Sequence, residues 1–153
     1  MNPELTENLA LCGNRTPVAP FRDEALPWFA AHRELATPEL IHLVERGGGS
    51  AERAAIALGH IGAAEAVPAL DSALTNGVIT HQNAAAHALW AIGNADAIAA
   101  LSRAIEATGS PAKRALQALT PMDGRSPCDL IALADSEPGL AESVAAARER
   151  CGC

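Results

Sequence analysis

The stretch Ala51–Leu74, AERAAIALGHIGAAEAVPALDSAL, recurs in altered form as Gln82–Ile105, QNAAAHALWAIGNADAIAALSRAI. Gly62 aligns with Gly93, which sets a period of 31 residues, and eleven of the 24 aligned positions are identical. Alanine matches are common by chance in this composition, so the larger matched side chains carry the argument. These are Leu58 with Leu89, Ile61 with Ile92 and Leu70 with Leu101. A period of this length indicates stacked supersecondary units that bury their apolar faces against one another.

Each unit contains two helical periods separated by a glycine. The apolar residues of the first unit are Ala54, Leu58 and Ile61 in one period, and Val67, Leu70 and Leu74 in the next. Such spacing gives each helix one apolar stripe. Gly62 and Gly93 are predicted to end the first helices, because glycine tolerates the left-handed backbone found there. Pro68 then falls in the early part of a second helix, where its missing amide donor does least harm.

Weaker helical signals extend the pattern in both directions. Asp23–His32 and Thr37–Arg46 form an earlier pair, with Thr37 predicted as the N-cap and Pro38 at the first helical position. Later segments run from Ser110 to Leu119, from Ser126 to Asp135 and from Pro138 to Arg150. The sequence therefore predicts an all-α fold, a right-handed α-α superhelix of about four to five hairpins.

We expect a single domain over the whole chain, since its length suits one core. The predicted domain covers residues 1–153, and its clearest repeats are residues 51–74 and 82–105. A degenerate N-terminal segment covers residues 1–46. A capping segment covers residues 110–150, and a thiol tail covers residues 151–153.

Composition and charge restrict the partners. Hydrophobic residues make up 49% and charged residues 19% of the chain, as in globular proteins. The formal charge of −7 repels phosphate backbones and favours a basic protein partner. No run approaches the roughly 18 apolar residues of a membrane helix. We therefore predict a cytoplasmic protein whose partner is a basic or helical protein. We expect no nucleic-acid or membrane partner, and the sequence leaves the oligomeric state open.

The string Arg53–Gly62, RAAIALGHIG, followed by Glu65–Leu70, EAVPAL, resembles the HEAT-like repeat first associated with phycobilisome lyases. A second copy, Ala85–Gly93, matches less closely, and the resemblance extends over about residues 38–133. It implies a helical solenoid. Proteins with such repeats include chromophore-lyase subunits, a di-iron hydroxylase, DNA-repair enzymes and binding scaffolds, so the fold alone does not fix an activity.

The sequence contains few of the features that these activities need. It has no repeated His-Glu pairs for iron, no basic face for DNA, no glycine-rich phosphate loop and no HExxH motif. We predict a non-catalytic protein–protein interaction scaffold or adaptor without a cofactor. An accessory subunit of an enzyme or chromophore lyase remains the alternative.

The resemblance implies that the second helix of each hairpin lies on the concave side. The positions predicted to face outward there form an acidic rim of Glu45, Glu65, Asp96 and Asp135, an alanine floor of Ala69, Ala100 and Ala132, and the polar Ser72 and Arg103. Small floor residues would let a partner helix approach closely. The competing interpretation is that these are ordinary solvated helix positions.

The first helices offer another candidate surface. Ile56, His87 and Trp90 are predicted to face outward, and an exposed Trp is a common interface anchor. Alternatively, Trp90 packs over Gly59 or Gly62 of the neighbouring unit.

The four cysteines are Cys12, Cys128, Cys151 and Cys153. They lack the dense spacing of a disulfide framework, so reduced thiols are expected. Cys151 and Cys153, in a Cys-Gly-Cys tail, are weak candidates for binding a soft metal or cycling as a dithiol. The alternative is a tail without a role.

Overall fold

The computed structural model describes residues 1–153, and it is helical throughout, with no β-strand. The helices are α1 Pro3–Ala10, α2 Val18–Pro20, α3 Leu26–Ala31, α4 Arg33–Arg46, α5 Ala51–Ile61, α6 Val67–Asn76, α7 Ile79–Ile92, α8 Ala95–Ala107, α9 Gly109–Ala118, α10 Cys128–Ala132 and α11 Ala141–Cys151. A π-helical turn, Phe21–Ala25, joins α2 to α3, and short 3-10 turns, Ala64–Ala66 and Pro138–Leu140, precede α6 and α11.

The helices form two layers of successive hairpins. The first-helix layer contains α3, α5, α7 and α9, and the second-helix layer contains α4, α6, α8 and α10. Within each layer a helix packs on its counterpart in the next hairpin, and each second helix also contacts the first helix that follows it. This arrangement is that of a HEAT-type solenoid and confirms the predicted all-α repeat fold.

Local signals set the ends of the central helices. Gly62 and Gly93 end α5 and α7 in the left-handed conformation, with φ of 73° and 62°, as predicted. Asn94 caps α8 by accepting a hydrogen bond from the Ala97 amide at 2.8 Å. Pro68 lies in the first turn of α6.

A single hydrophobic core of 40 buried residues extends from Leu5 to Ala147. Alanine supplies much of it, and the largest side chains in its central part include Leu58 and Leu89. The small residues bring the helices close together. A Cβ atom built on Gly59 of α5 would lie only 2.8 Å from the Ala88 Cα atom of α7.

Two predicted boundaries are wrong. Helix α4 begins at Arg33, so Thr37 is not its N-cap and Pro38 lies inside the helix. The Thr37 side chain is buried, and its hydroxyl has no hydrogen-bond partner in the protein. Helix α10 is also shorter than the predicted segment from Ser126 to Asp135. At α4, packing against neighbouring helices overrides the local Thr-Pro signal. At α10, the Ser126 hydroxyl accepts a hydrogen bond from the Cys128 amide at 3.3 Å, and the helix ends at Ala132, earlier than predicted.

Candidate interaction surface

Three depressions follow one another along the second-helix layer, one between each pair of successive second helices. We name them the N-terminal furrow between α4 and α6, the central furrow between α6 and α8, and the C-terminal furrow between α8 and α10. Their volumes are about 300, 380 and 470 Å³. The surface therefore repeats with the hairpins, as the resemblance to solenoid proteins led us to expect.

The central furrow is the most acidic of the three. Its charged lining residues are Glu65, Asp71, Asp96 and Arg103. Arg103 pairs with Asp71 at 2.9 Å, whereas no cation lies within 4 Å of Glu65 or Asp96. Both free carboxylates lie at the beginning of second helices, where the helix dipole stabilises negative charge. The furrow thus presents two carboxylates that lack a partner within the protein.

The N-terminal furrow brings together three of the predicted residues. Glu45 comes from α4, Ala69 and Ser72 come from α6, and His81 of α7 closes one end. Only one carboxylate lines this furrow, so it is less acidic than the central one.

Apolar side chains dominate the C-terminal furrow. Ile98, Leu130 and Leu133 line it beside the ring of Trp90, and Arg125 and Asp129 supply the charges. The Arg125 guanidinium lies 4.7 Å from the Trp90 ring centroid and donates to the Trp90 carbonyl. This furrow offers the largest volume together with an apolar wall.

The alanine floor predicted from the sequence is wrong at Ala100. Its side chain is 0% exposed and Ala69 is 9% exposed, whereas Ala132 is exposed but lies outside the furrows. The central second helices α6 and α8 are each covered by second helices on both sides as well as by first helices. On these helices the buried face is therefore wider than the single apolar stripe predicted from the sequence. It includes Ala69 and Ala100.

Asp135 does not contribute to the acidic furrows either. It lies beyond α10 and pairs with Arg148 of α11. Of the predicted rim, the structure leaves Glu45, Glu65 and Asp96 exposed and unpaired in the furrows, and it also places Arg103 and Ser72 there.

The alternative surface predicted on the first helices differs more from the structure than the second-helix surface does. Trp90 is only 3% exposed, so it is not an exposed anchor. Its Nε1 atom donates to the Thr120 carbonyl at 3.0 Å, and Arg125 covers its ring in place of Gly59 or Gly62. The sequence could not reveal this contact, because the segment between α9 and α10 folds back over α7 without a local pattern.

Two members of that patch remain at the surface. Ile56 is 39% exposed and His87 is exposed, and they line a groove of about 200 Å³ between α5 and α7. Although part of its surface is exposed, the residues packed around the ring desolvate it, and this effect, followed by the positive charge of Arg150, lowers the pKa of His87. The imidazole is thus held in its neutral form more firmly than an ordinary histidine.

The expectation that all four thiols are reduced is wrong. Cys128 and Cys153 form a disulfide, with Cα atoms 5.8 Å apart, so Cys153 cannot bind a metal as a thiolate. Cys151 and Cys12 are free. No group of three or more His, Cys, Asp or Glu residues is arranged to hold a metal ion. Disulfides are rare in cytosolic proteins, so this bond does not support the predicted cytoplasmic location, which stays a prediction.

Residues 50–120 match the family of HEAT repeats. The matched segment contains α5 to α9 and thus the central furrow and most of the hairpin stack. HEAT repeats generally act as scaffolds for protein interactions. The match concerns HEAT repeats in general, so a relation to the phycobilisome-lyase type stays a prediction.

No curated protein and no solved structure matches the chain. None of its helices combines the length and the apolar character that crossing a membrane requires.

Proposed function

We propose that this protein is a non-catalytic scaffold or adaptor that binds a partner protein across the furrows of its second-helix layer. The observation that carries this proposal is the row of three furrows with Glu65 and Asp96 unpaired in the middle one. The match of residues 50–120 to HEAT repeats supports an interaction role. The continuous core from Leu5 to Ala147 supports one domain over residues 1–153.

The partner that fits this surface is a basic segment. The formal charge of −7 favours cationic partners at long range, and the two unpaired carboxylates offer acceptors for a Lys or Arg side chain. Neighbouring helices pack about 8–10 Å apart. An extended chain advances about 3.3–3.6 Å per residue. An extended segment that crosses the helices would therefore reach the next furrow after about two to three residues.

The first test separates the furrow charges from the overall charge. A partner obtained by affinity capture is titrated against the wild type, Glu65→Gln/Asp96→Asn and the matched control Glu24→Gln/Glu142→Gln, whose carboxylates are exposed outside the furrows. We expect about tenfold weaker binding and a flatter salt dependence for the furrow variant alone, because steering and pairing charges are lost. Equal losses in both double variants would contradict the proposal.

A second test uses shape instead of charge. Ala99 is half-buried and lines the central furrow, so Ala99→Met would fill the furrow while retaining a good helix former. We expect faster dissociation of the captured partner, measured by surface plasmon resonance, with an unchanged circular dichroism spectrum. If dissociation stays at the wild-type rate, the partner does not enter the central furrow.

A further inference from the structure

Three of the four cysteines meet at one end of the molecule. Cys128 begins α10, Cys151 ends α11, and Cys153 follows two residues later and is bonded to Cys128. Cys12 lies apart from them, near α1, and is completely buried. A free thiol thus lies two residues from one of the two cysteines of a disulfide.

The chain geometry keeps Cys151 and Cys153 close to each other. Gly152 adopts a φ of 74°, which reverses the chain after α11. The amides of Gly152 and Cys153 both donate to the Arg148 carbonyl, at 2.8 and 3.0 Å. This turn fixes the two cysteines on either side of one glycine.

The surroundings allow the Cys151 thiol to leave its present partner. Its Sγ atom donates to the Leu119 carbonyl at 3.4 Å. The Arg150 Nε atom donates to the same carbonyl at 3.0 Å, so that oxygen stays satisfied when the thiol moves. Cys153 is exposed and Cys128 is half-buried, so the disulfide is accessible from solvent.

We propose that Cys128, Cys151 and Cys153 form a thiol–disulfide exchange site, in which the Cys151 thiol displaces Cys128 from its bond with Cys153. This inference is independent of the proposed function. The thiolate of Cys151 attacks the Sγ atom of Cys153, the new bond is Cys151–Cys153, and the electron pair of the broken bond goes to the Cys128 sulfur. Cys151 gives its proton to solvent and Cys128 takes one up, so no oxidant or reductant is consumed.

The exchange changes what the disulfide connects. In the observed form the bond joins positions separated by 25 residues and ties the end of α11 to the start of α10. After exchange it spans a single glycine, and α11 is held only by its packing on α9 and α10 and by hydrogen bonds such as those from Arg150 to the Leu116 and Leu119 carbonyls. The site thus exchanges a long-range link for a local one.

Peptide mapping can follow the exchange directly. After acid quenching and alkylation of free thiols, trypsin cuts after Arg125, Arg148 and Arg150, which separates Cys128 from Cys151 and Cys153. The observed form gives a Ser126–Arg148 peptide linked to the peptide that starts at Cys151. The exchanged form gives the same two peptides unlinked, with the alkyl label on Cys128.

We expect the labelled fraction of Cys128 to grow with time in the wild type, and to grow faster at pH 8 than at pH 7, because the thiolate is the nucleophile. Cys151→Ser removes the attacking thiol and should leave Cys128 unlabelled. Cys12→Ser is the matched control and should behave as the wild type. Absence of label on Cys128 in the wild type at pH 8, or equal labelling in Cys151→Ser, would overturn the proposal.

Reduced glutathione provides a second readout. We expect Cys151→Ser to accumulate a glutathione mixed disulfide on Cys153, whereas in the wild type Cys151 resolves this intermediate into the Cys151–Cys153 bond. Equal amounts of the mixed disulfide in the two proteins would also overturn the proposal, because Cys151 would then have no resolving role.

Discussion

At the scale of the residue, Arg53 ties the segment that follows α1 to the hairpin stack. Arg53 of α5 donates to the Leu11 and Gly13 carbonyls at 3.1 and 2.9 Å, and also to the Thr16 carbonyl at 2.9 Å. These carbonyls follow the end of α1, where a helix lacks internal donors and favours a cation. Arg53 therefore anchors the N-terminal segment to the first clear repeat.

Replacing Arg53 by methionine should lower the free energy of unfolding by about 2–3 kcal/mol, since hydrogen bonds to charged groups contribute about 1.5–3 kcal/mol and the Leu11, Gly13 and Thr16 carbonyls all lose the guanidinium. Urea unfolding followed by circular dichroism measures this change. Arg15→Met is the control, because Arg15 is exposed and makes no hydrogen bond or ion pair. A loss of the same size in both variants would show that the carbonyl contacts are not responsible.

His87 should make stability depend on pH. Its pKa in the folded state is lowered from an ordinary value of about 6.5. The unfolded chain therefore binds the proton more readily, and this residue's contribution is present above about pH 6.5 and is lost as the pH falls through the folded pKa. His87→Gln should lose less stability than the wild type between pH 7 and pH 5, as measured by urea unfolding at each pH. Parallel losses in the two proteins would contradict this prediction.

At the scale of the element, the contact between α5 and α7 depends on a glycine. A Cβ atom on Gly59 would meet the Ala88 Cα and Cβ atoms at 2.8 and 3.0 Å, which forces the two helices apart. Helix propensity alone would favour Ala over Gly by about 1 kcal/mol. Overpacking costs about 1–3 kcal/mol, so the clash is the larger effect.

We therefore expect Gly59→Ala to reduce the melting temperature although it introduces a better helix former. Gly139→Ala serves as the control, because the nearest contact of its new methyl group is a flexible glutamate side chain, that of Glu137. Differential scanning calorimetry compares the two variants. A rise in melting temperature for Gly59→Ala would mean that the helices do not approach as closely as described.

The sequence predicted correctly those helices whose signals lie within a single repeat. Helices α5 to α8 were found because their apolar stripes and the glycines at 62 and 93 lie within the repeat itself. The start of α4 was missed because burial of Thr37 depends on neighbouring helices. In the candidate site, the outward positions of Glu65, Asp96 and Arg103 were predicted correctly, whereas their role in binding stays a prediction. Burial of Ala100 and Trp90 could not be found, since it depends on residues from other hairpins.

At the scale of the whole molecule, the disulfide adds a long-range constraint to a fold whose contacts are mostly between neighbouring hairpins. Closing a loop of this size is worth about 3 kcal/mol in the chain-entropy treatment. We expect a phosphine reductant to shift the urea midpoint of the wild type downward. The urea midpoint of Cys128→Ser/Cys153→Ser should be low without reductant, and the reductant should not change it. An unchanged wild-type midpoint after complete reduction would contradict the prediction.

The same bond closes the chain between positions 128 and 153 into a covalent ring. The exposed residues Asp135 and Ser136 lie within this ring, between α10 and α11. A protease that cuts there opens the ring but releases no fragment, so the nicked chain should migrate as one band on a non-reducing gel. The two pieces would separate only when the Cys128–Cys153 bond is opened, by reduction or by exchange with Cys151, so a cut at this end of the protein is not detected while that bond is intact.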